Sequence, residues 1–292
     1  MVSRRVKAKN SPFKHPFYLA DTMHNYFFPE EFYPPVSNDY GLRCSQGLQI
    51  ASKMNAMFLG VVRDAQPALE RNLVVLDHLR GFFNSSSVFI YENNSSDNSK
   101  EILDNYAKTH YSTVFSTETL DTRKLSDKSL ERRVNMAYAR NKYLEYAKRK
   151  YKTGYKLDVI IVLDLDIIGG YSYTGLLNSL NYFCNYTCVG SNSIYYQDKT
   201  RLQYDTWAYK DSFNKSEEDK NLMVFHRGES PFEVGSCFGG LMIYPSSILK
   251  HDIKYESWDC DHITLHKQLK DLGYSILLNP SQIVLYSDHY YV

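Results

Sequence analysis

The sequence predicts an α/β fold with a mostly parallel central sheet, and three features carry this prediction. Apolar runs without polar alternation begin at Met57, Val88 and Val159, which is typical of strands that are buried on both faces. Between these runs lie segments whose apolar residues recur every three to four positions, as in helices that pack on a sheet. The regular alternation of strands and helices indicates a doubly wound sheet, which binds ligands at the carboxyl ends of its strands.

The elements of the first half follow in order along the chain. A strand at 57–62 precedes a helix in which Leu69, Leu73, Leu76 and Leu79 lie on one face. Three more strands are expected at 88–91, 113–116 and 159–163, and two more helices at about 98–108 and 130–150.

The second half is predicted to alternate shorter strands with helices. The strands are expected at 186–190, 221–225, 240–244 and 282–286, and the helices near 172–183 and 261–272. Residues 1–50 contain five of the nine prolines and show no clear period, so we expect an irregular N-terminal arm there. Residues 51–292 are then a single domain of two packed halves, 51–170 and 171–292.

Composition and charge argue against several classes of protein. The 292-residue chain has a formal net charge of +1 and its basic residues are dispersed, so no nucleic-acid partner is expected. No apolar run reaches the length of a transmembrane segment, and polar and aromatic residues follow the basic N-terminus, unlike a signal peptide. The sequence specifies no oligomeric state.

Cysteines and asparagines bear on the cellular compartment. The five cysteines form no paired CxxC pattern, and their odd number suits a reducing compartment. Asn93 and Asn94 both match the glycosylation pattern within a loop predicted to be functional, where a glycan would block access. We therefore expect a cytoplasmic protein.

Two aspartates follow the buried strand at 159–163. Asp164 and Asp166 leave this strand at its carboxyl end, where doubly wound sheets bind ligands. Two carboxylates two positions apart supply hard oxygen ligands for a divalent cation, which in turn binds phosphates. An Asx-turn is the structural alternative. The pair predicts an enzyme that acts on a phosphorylated substrate.

Five further segments resemble a known family, in the family's order. They are Tyr-Glu-Asn-Asn-Ser-Ser-Asp at 91–97, Ala-Arg-Asn at 139–141, Tyr-Asp-Thr-Trp at 204–207, Gly-Ser-Cys-Phe-Gly-Gly at 235–240 and Cys-Asp-His at 260–262. With Asp164 and Asp166, they resemble the cryptococcal mannosyltransferase family and the related glycosyltransferases of large algal (chlorella) viruses, over about residues 55–290. We expect no membrane anchor like that of the fungal pattern, and Asp261 stands where a Glu is usual; both departures favour the viral type.

The resemblance implies a GT-A fold, a Rossmann-like and mostly parallel sheet flanked by helices with a mixed second half. Residues 51–170 would bind the nucleotide and 171–292 the acceptor. The implied activity is that of a hexosyl- or pentosyltransferase that uses Mn²⁺ or Mg²⁺. It would move a sugar from a nucleotide sugar, a UDP-sugar such as UDP-xylose, to a glycan hydroxyl. This would serve viral capsid glycan synthesis in the host cytoplasm, with inversion at the anomeric carbon, although the resemblance also permits retention.

Individual residues receive roles from their chemistry and from the resemblance. The residues expected at the nucleotide are Arg63, Glu92, Asn94, Asp97, Arg140 and Asp164. Those expected at the metal are Asp164, Asp166 and, by resemblance, His289. Those expected at the acceptor are Tyr204, Asp205, Trp207, Phe238 and Gly239.

The start of the helix near 261–272 supplies the candidate catalytic carboxylates. Asp261 is the expected general base, and Asp259 is either a second catalytic acid or the helix N-cap. His262 and His266 have the i, i+4 spacing of a zinc pair, but neither the Glu between them nor a third ligand is apparent.

Two other function classes remain open. A haloacid-dehalogenase-type phosphatase also uses Asp-x-Asp after a buried strand, with the first Asp as a covalent nucleophile. In that class the motif opens the domain and a small hydroxyl residue follows it, whereas here Ile167 and Ile168 follow. A non-catalytic glycan-binding protein with a degenerate GT-A fold is the second alternative.

Overall fold

The computed structural model describes residues 28–110, 113–118, 128–197, 200–212 and 215–286. The helices in these residues are α1 (Tyr40–Ala51), α2 (Leu69–Arg80), α3 (Ser99–Thr109), α4 (Leu130–Lys152), α5 (Tyr173–Asn181), α6 (Glu217–Asn221) and α7 (Asp261–Asp271). The strands are β1 (Asn55–Val62), β2 (Ser85–Asn93), β3 (Thr113–Glu118), β4 (Val159–Leu163), β5 (Gly170–Tyr171), β6 (Thr187–Gln197), β7 (Thr200–Gln203), β8 (Phe232–Glu233), β9 (Leu241–Pro245) and β10 (Ser275–Leu285).

These strands form one mixed sheet in the order β3-β2-β1-β4-β9-β6-β10-β5, with β7 paired to β6 and β8 to β10. The strands β3, β2, β1 and β4 are parallel, so their carboxyl ends share one edge. β9 lies antiparallel between β4 and β6, and β6 is parallel to β10. The predicted α/β class, the first four strands and the three helices between them are confirmed.

The central strands are buried on both faces, as the unbroken apolar runs predicted. Phe58 and Ile161 belong to one hydrophobic core, with α1, α2 and α5. Met57 and Ile160 belong to a second core on the opposite face, with α4 and α7. Because successive side chains of a strand point to opposite faces, β1 and β4 supply both cores.

The irregular arm predicted over residues 1–50 is wrong for its last part, because Tyr40–Ala51 form α1. Tyr40, Cys44, Gly47 and Ala51 are the buried face of this helix. A Cβ at Gly47 would lie 1.7 Å from the carbonyl oxygen of Leu177 in α5, so the two helices pack too closely for any larger residue. Residues 40–51 therefore form a helix because they pack against α5, and not because of a strong local apolar pattern.

The strand predicted at 221–225 is also wrong. Its first residue ends α6, whose Ser216 N-cap accepts a hydrogen bond from Asp219 N–H (3.1 Å). The rest of the segment is irregular, and Leu222 and Val224 are both at least half exposed. These apolar side chains lie outside the core, so the apolar pattern was misleading. Within the described ranges, no helix combines the length and apolar character needed to cross a bilayer.

Candidate functional site

The turn after β4 presents two carboxylates on one side. Asp164 is partly buried and Asp166 is exposed, whereas Leu165 and Ile167 point into the core. Asn72 of α2 fixes this turn, because its side-chain amide donates to the carbonyls of Leu165 and Ile167 (both 2.8 Å). A rigid backbone therefore presents both acids at the carboxyl end of β4.

Arg140 joins this turn to two other segments. Its side chain is buried, its Nη2 lies 3.4 Å from Asp164 Oδ1, and its Nε lies 2.5 Å from Asp261 Oδ2. The guanidinium also lies over the ring of Phe238, 4.8 Å from the centroid. The backbone N–H of Asp164 donates to the carbonyl of Gly240 (3.0 Å). Arg140 of α4 thus contacts residues that are distant from it in sequence, and the farthest of them, Asp261, is 121 residues away.

Burial shapes the electrostatics of the site. It raises the pKa of Asp164 to about 8, although Arg140 opposes the shift. It also raises the pKa of Asp205 to about 6, against the hydrogen bond that this carboxylate accepts from Gly239 N–H. The acids that influence one another here are Asp164, Asp166, Asp205 and Asp261. These four carboxyl groups outnumber the guanidinium of Arg140 that lies among them.

An excess of carboxylate oxygens fits a divalent cation of the Mg²⁺ or Mn²⁺ type. In the part of the chain that the structure describes, no three His, Cys, Asp or Glu side chains are arranged as a metal site. Asp164 and Asp166 are two of the three predicted ligands, and the third, His289, lies outside the described residues. The assignment of Asp164 and Asp166 as metal ligands therefore stays a prediction.

The loops after β1 and β2 are tied together where the nucleotide was predicted to bind. Asp64 N–H donates to Ser95 Oγ (3.0 Å), and Ser96 N–H donates to Asp64 Oδ1 (2.6 Å). Glu92 is buried, and its Oε1 accepts a hydrogen bond from Ser95 N–H (2.5 Å). Glu92 therefore shapes the loop that holds two of the other predicted nucleotide residues.

The remaining predicted nucleotide residues lie in the same two loops. Arg63 is partly buried, and its Nε lies 3.8 Å from Asp64 Oδ2. Asn94 has a φ of +50°, the left-handed conformation that Asn tolerates. Asp97 accepts hydrogen bonds from Ser99 N–H (2.9 Å) and Gln66 N–H (3.1 Å). Arg63, Asn94 and Asp97 thus lie near one another, at the carboxyl ends of β1 and β2.

The predicted acceptor residues divide into two groups. Tyr204, Asp205, Phe238 and Gly239 line one small pocket beside the acidic cluster, with Ser191 and Ser193 among its other walls. Trp207 does not line this pocket. Its indole ring packs instead against cations, with the guanidinium of Arg132 at 5.5 Å and Lys128 Nζ at 6.0 Å from its centroid.

Gly239 closes this pocket by a backbone contact. Its N–H donates to Asp205 Oδ2 (2.9 Å), and its φ of +64° favours glycine. A Cβ at Gly239 would lie 2.6 Å from the carbonyl oxygen of Ser191. The backbone of Gly239 therefore lies too close to Ser191 for any larger residue, and its N–H orients the Asp205 carboxylate.

The two candidate catalytic acids at α7 differ in their surroundings. Asp261 is the first residue of α7 and is buried in its ion pair with Arg140. Asp259 is partly exposed, with Oδ1 accepting from Cys260 N–H (2.7 Å) and Oδ2 3.9 Å from Lys210 Nζ. The N-cap alternative for Asp259 is wrong, because the N-cap position belongs to Cys260. Asp261 is the acid that contacts the rest of the cluster.

His262 and His266 lie behind the site in the core. The ring of His262 stacks on Phe238 with centroids 3.8 Å apart. Both nitrogens of His266 are engaged, Nδ1 with Ser236 Oγ and Nε2 with Tyr244 OH (both 2.8 Å). These bonds leave His266 no free nitrogen for zinc, and His262 packs against Phe238.

Burial of His266 makes the stability of the protein depend on pH. It lowers the pKa of this residue to about 3, from about 6.5 in an unfolded chain. Below pH 6.5 the unfolded chain therefore gains a proton that the folded protein does not, so stability falls as the pH falls from 6.5 towards 3, by about 1.4 kcal/mol per pH unit.

We expect His266→Gln to reduce this pH dependence by about one proton, measured by urea unfolding between pH 6 and 4. The exposed His226 is the matched control, and His226→Gln should retain the wild-type slope. Identical slopes for wild type and His266→Gln would contradict the buried neutral imidazole.

Several contributors were not recognised in the sequence. Tyr143 OH donates to Tyr255 OH (2.7 Å), and Arg140 Nη1 donates to Tyr143 OH (3.4 Å), so two buried phenols support the guanidinium. Tyr143 lies one helical turn after Arg140, a spacing that places both on one face and was a usable signal. Asn72, a polar residue on the apolar face of α2, was a second signal.

Comparison with known proteins identifies the family. Residues 61–268 match the sequence model of the family described as cryptococcal mannosyltransferase 1. The chain belongs to this family. A comparison with curated proteins found no match.

Two solved glycosyltransferase structures are similar in fold. The mannosyltransferase PcManGT from Pyrobaculum calidifontis, in complex with GDP-Man and Mn²⁺, has a TM-score of 0.51 and 12% sequence identity over 84% of this chain. GalNAc-T7 with UDP, GalNAc and Mn²⁺ has a TM-score of 0.50 and 13% identity over 80% of this chain. The chain spans 63% and 44% of the lengths of these two proteins.

Proposed function

We propose that the protein is a metal-dependent GT-A glycosyltransferase that moves a sugar from a nucleoside diphosphate sugar to a hydroxyl of a glycan. The observation that carries this proposal is the contact of Arg140 with both Asp164 and Asp261. This contact joins the acid that follows β4, which we assign to the nucleotide, to the acid that begins α7, which we assign to the acceptor. The two halves of the domain therefore share one polar centre.

The donor side is built from the carboxyl ends of β1, β2 and β4. Asp164 and Asp166, with His289, would hold Mn²⁺ or Mg²⁺, which when bound neutralises charge on the leaving diphosphate. Arg63 and the loop shaped by Glu92 would contact the nucleoside. The two solved structures of similar fold contain nucleotides together with Mn²⁺, which supports this assignment.

The acceptor side lies across Arg140 from the donor side. Asp261 would accept the proton of the attacking hydroxyl as general base, and its ion pair with Arg140 orients the carboxylate. Tyr204, Asp205 and Gly239 would contact the sugar in the pocket beside it. A single base on the acceptor side implies inversion at the anomeric carbon.

The donor and the biological setting follow from the resemblance to the viral enzymes. We propose a UDP-sugar such as UDP-xylose as the donor and viral capsid glycan synthesis in the host cytoplasm as the role. GDP-mannose, which the similar Pyrobaculum calidifontis structure contains, is the competing candidate. A thermal-shift screen of nucleotide sugars with Mn²⁺ tests the proposal, because a bound donor raises the unfolding temperature according to its affinity. Stabilisation by no nucleotide sugar would contradict it.

Arg63→Ala and Glu92→Ala should each weaken nucleotide binding by about 1–3 kcal/mol, the usual cost of a lost charge-assisted hydrogen bond. Arg63 would act by direct contact, and Glu92 also through the loop that it holds at Ser95. Calorimetry with the nucleoside diphosphate measures the effect. Glu101→Ala, at an exposed position of α3, is the matched control. Unchanged affinity in both variants would place the nucleotide elsewhere.

A further inference from the structure

Trp258 is an exposed aromatic residue held in a fixed orientation. Its side chain is 53% exposed, although a tryptophan is usually largely buried. The indole Nε1–H donates to Glu256 Oε2 (2.8 Å), and the backbone carbonyl accepts from Arg133 Nη1 (2.7 Å). One hydrogen bond at the edge of the ring and one at the Trp258 backbone therefore orient the residue, while half of its side chain is open to solvent.

The segment that carries Trp258 is fastened to the first turn of α7. Glu256 N–H donates to Thr264 Oγ1 (2.9 Å), and that hydroxyl contacts the carbonyls of Glu256 (3.2 Å) and Asp261 (2.8 Å). Thr264 itself is fully buried. The position of the Trp258 ring is therefore coupled to the backbone of Asp261, the proposed base.

Trp258 lies close to the acidic cluster along the chain. It precedes Asp261 by three residues, so the Cα atoms of the two residues lie within about 11 Å of each other. Arg133 and Arg140, which contact Trp258 and Asp261, lie on one face of α4. A separation of this size is on the scale of a disaccharide, so a sugar ring stacked on Trp258 would be the neighbour of a sugar placed at Asp261.

We propose that Trp258 is the platform on which a second sugar ring of the acceptor glycan stacks, so that the acceptor is at least a disaccharide. This inference rests on the proposed transferase function. A sugar ring offers an apolar C–H face and a rim of hydroxyls. The indole supplies an open apolar face, while Glu256 and Arg133 beside it supply a hydrogen-bond acceptor and donors. Trp258 would thus select acceptors by length.

Fluorescence tests binding directly, because the chain has two tryptophans, Trp207 and Trp258. In a Trp207→Phe protein, Trp258 is the remaining emitter, and titration with methyl xyloside, xylobiose, methyl mannoside and mannobiose should give a saturable change in emission that favours disaccharides. In a Trp258→Phe protein, the emission of Trp207 should change at least about tenfold less over the same titration. No saturable change with any of these sugars would overturn the proposal.

Kinetics tests the same proposal in the enzyme. Trp258→Ala should raise KM for a disaccharide acceptor by about tenfold and change KM for the corresponding monosaccharide little, because only the longer acceptor reaches the ring. Trp258→Phe, which keeps an aromatic ring, should raise KM for the disaccharide much less than Trp258→Ala does. Tyr186→Ala, which removes an exposed aromatic ring at the start of β6, should change neither.

The outcomes separate this inference from the proposed function. Equal KM changes for short and long acceptors, with turnover of a nucleotide sugar intact, would overturn the role of Trp258 and leave the transferase standing. Failure of the wild-type protein to turn over any nucleotide sugar would instead remove the proposed function. If Trp258→Ala changed the oligomeric state by size-exclusion chromatography and not acceptor selection, the ring would be a protein contact and the proposal wrong.

Discussion

Asp166→Ala should abolish sugar transfer and leave the protein folded. Asp166 is exposed in the turn after β4, and Asn72 holds the backbone of this turn through the carbonyls of Leu165 and Ile167, so Asp166→Ala should leave the fold intact. Loss of a ligand to the metal removes several kcal/mol of charge stabilisation, which corresponds to at least about a thousandfold in rate.

The measurement is transfer from the accepted donor with Mn²⁺, with circular dichroism as the test of folding. Asp271→Ala is the matched control, because Asp271 is an exposed aspartate at the far end of α7 that pairs with Lys267. Normal turnover by a folded Asp166→Ala protein in the presence of a chelator would remove the metal assignment.

Asp261→Asn should lose about 10²–10⁴-fold in turnover, the usual cost of removing a general base. Donor affinity should change little. The substitution also removes one partner of the buried Arg140, so a fall in stability of up to about 3–5 kcal/mol is expected, moderated by the second partner Asp164. Urea unfolding and kinetics at a temperature well below the transition separate the two effects.

Asp259→Asn is the matched control for Asp261→Asn. Asp259 is two residues away and partly exposed, and its ion pair with Lys210 is long, so its loss should cost less than about 1 kcal/mol. If Asp259→Asn were inactive and Asp261→Asn active, the roles would be reversed. If NMR showed that the product keeps the anomeric configuration of the donor, the single-base mechanism would be wrong.

The first half of the fold could be predicted because its pattern is local. The run Val159–Leu163 is apolar throughout and can be accommodated only between two cores, and the leucines of α2 lie on one face. The position of Asp164 and Asp166 followed from the same strand. Even if the predicted end of this strand were wrong by one residue, both aspartates would still lie at the carboxyl edge of the sheet.

Elements fixed by distant contacts could not be predicted in this way. Helix α1 has a weak apolar face, and its partner α5 begins 122 residues after the helix ends, from Ala51 to Tyr173. Residues 221–225 have strand-like apolar residues but form no strand: Met223 and Phe225 pack against the core from irregular backbone, and Leu222 and Val224 are exposed. Tertiary contacts decided both cases against the local pattern.

In the candidate site, too, the individual residues could be predicted from the local sequence, but the contacts between them could not. The sequence identified Arg140, Asp164 and Asp261 separately, but the ion pairs that join them depend on how α4 and α7 pack against β4. The buried support of Arg140 by Tyr143 and Tyr255 joins residues 112 positions apart. Such contacts follow from packing and not from spacing along the chain.

The measurement that tests the account most directly is the release of nucleoside diphosphate from a panel of nucleotide sugars, with Mn²⁺ and with a chelator, followed by ³¹P NMR. The panel would contain UDP-xylose, UDP-glucose, UDP-GalNAc and GDP-mannose. The account predicts slow release from at least one donor without acceptor, acceleration by a disaccharide acceptor, and loss of release with chelator or in Asp166→Ala. Release of inorganic phosphate would instead indicate a phosphatase, and binding of glycans without turnover of any donor would indicate a non-catalytic protein. Either result would contradict the proposed transferase.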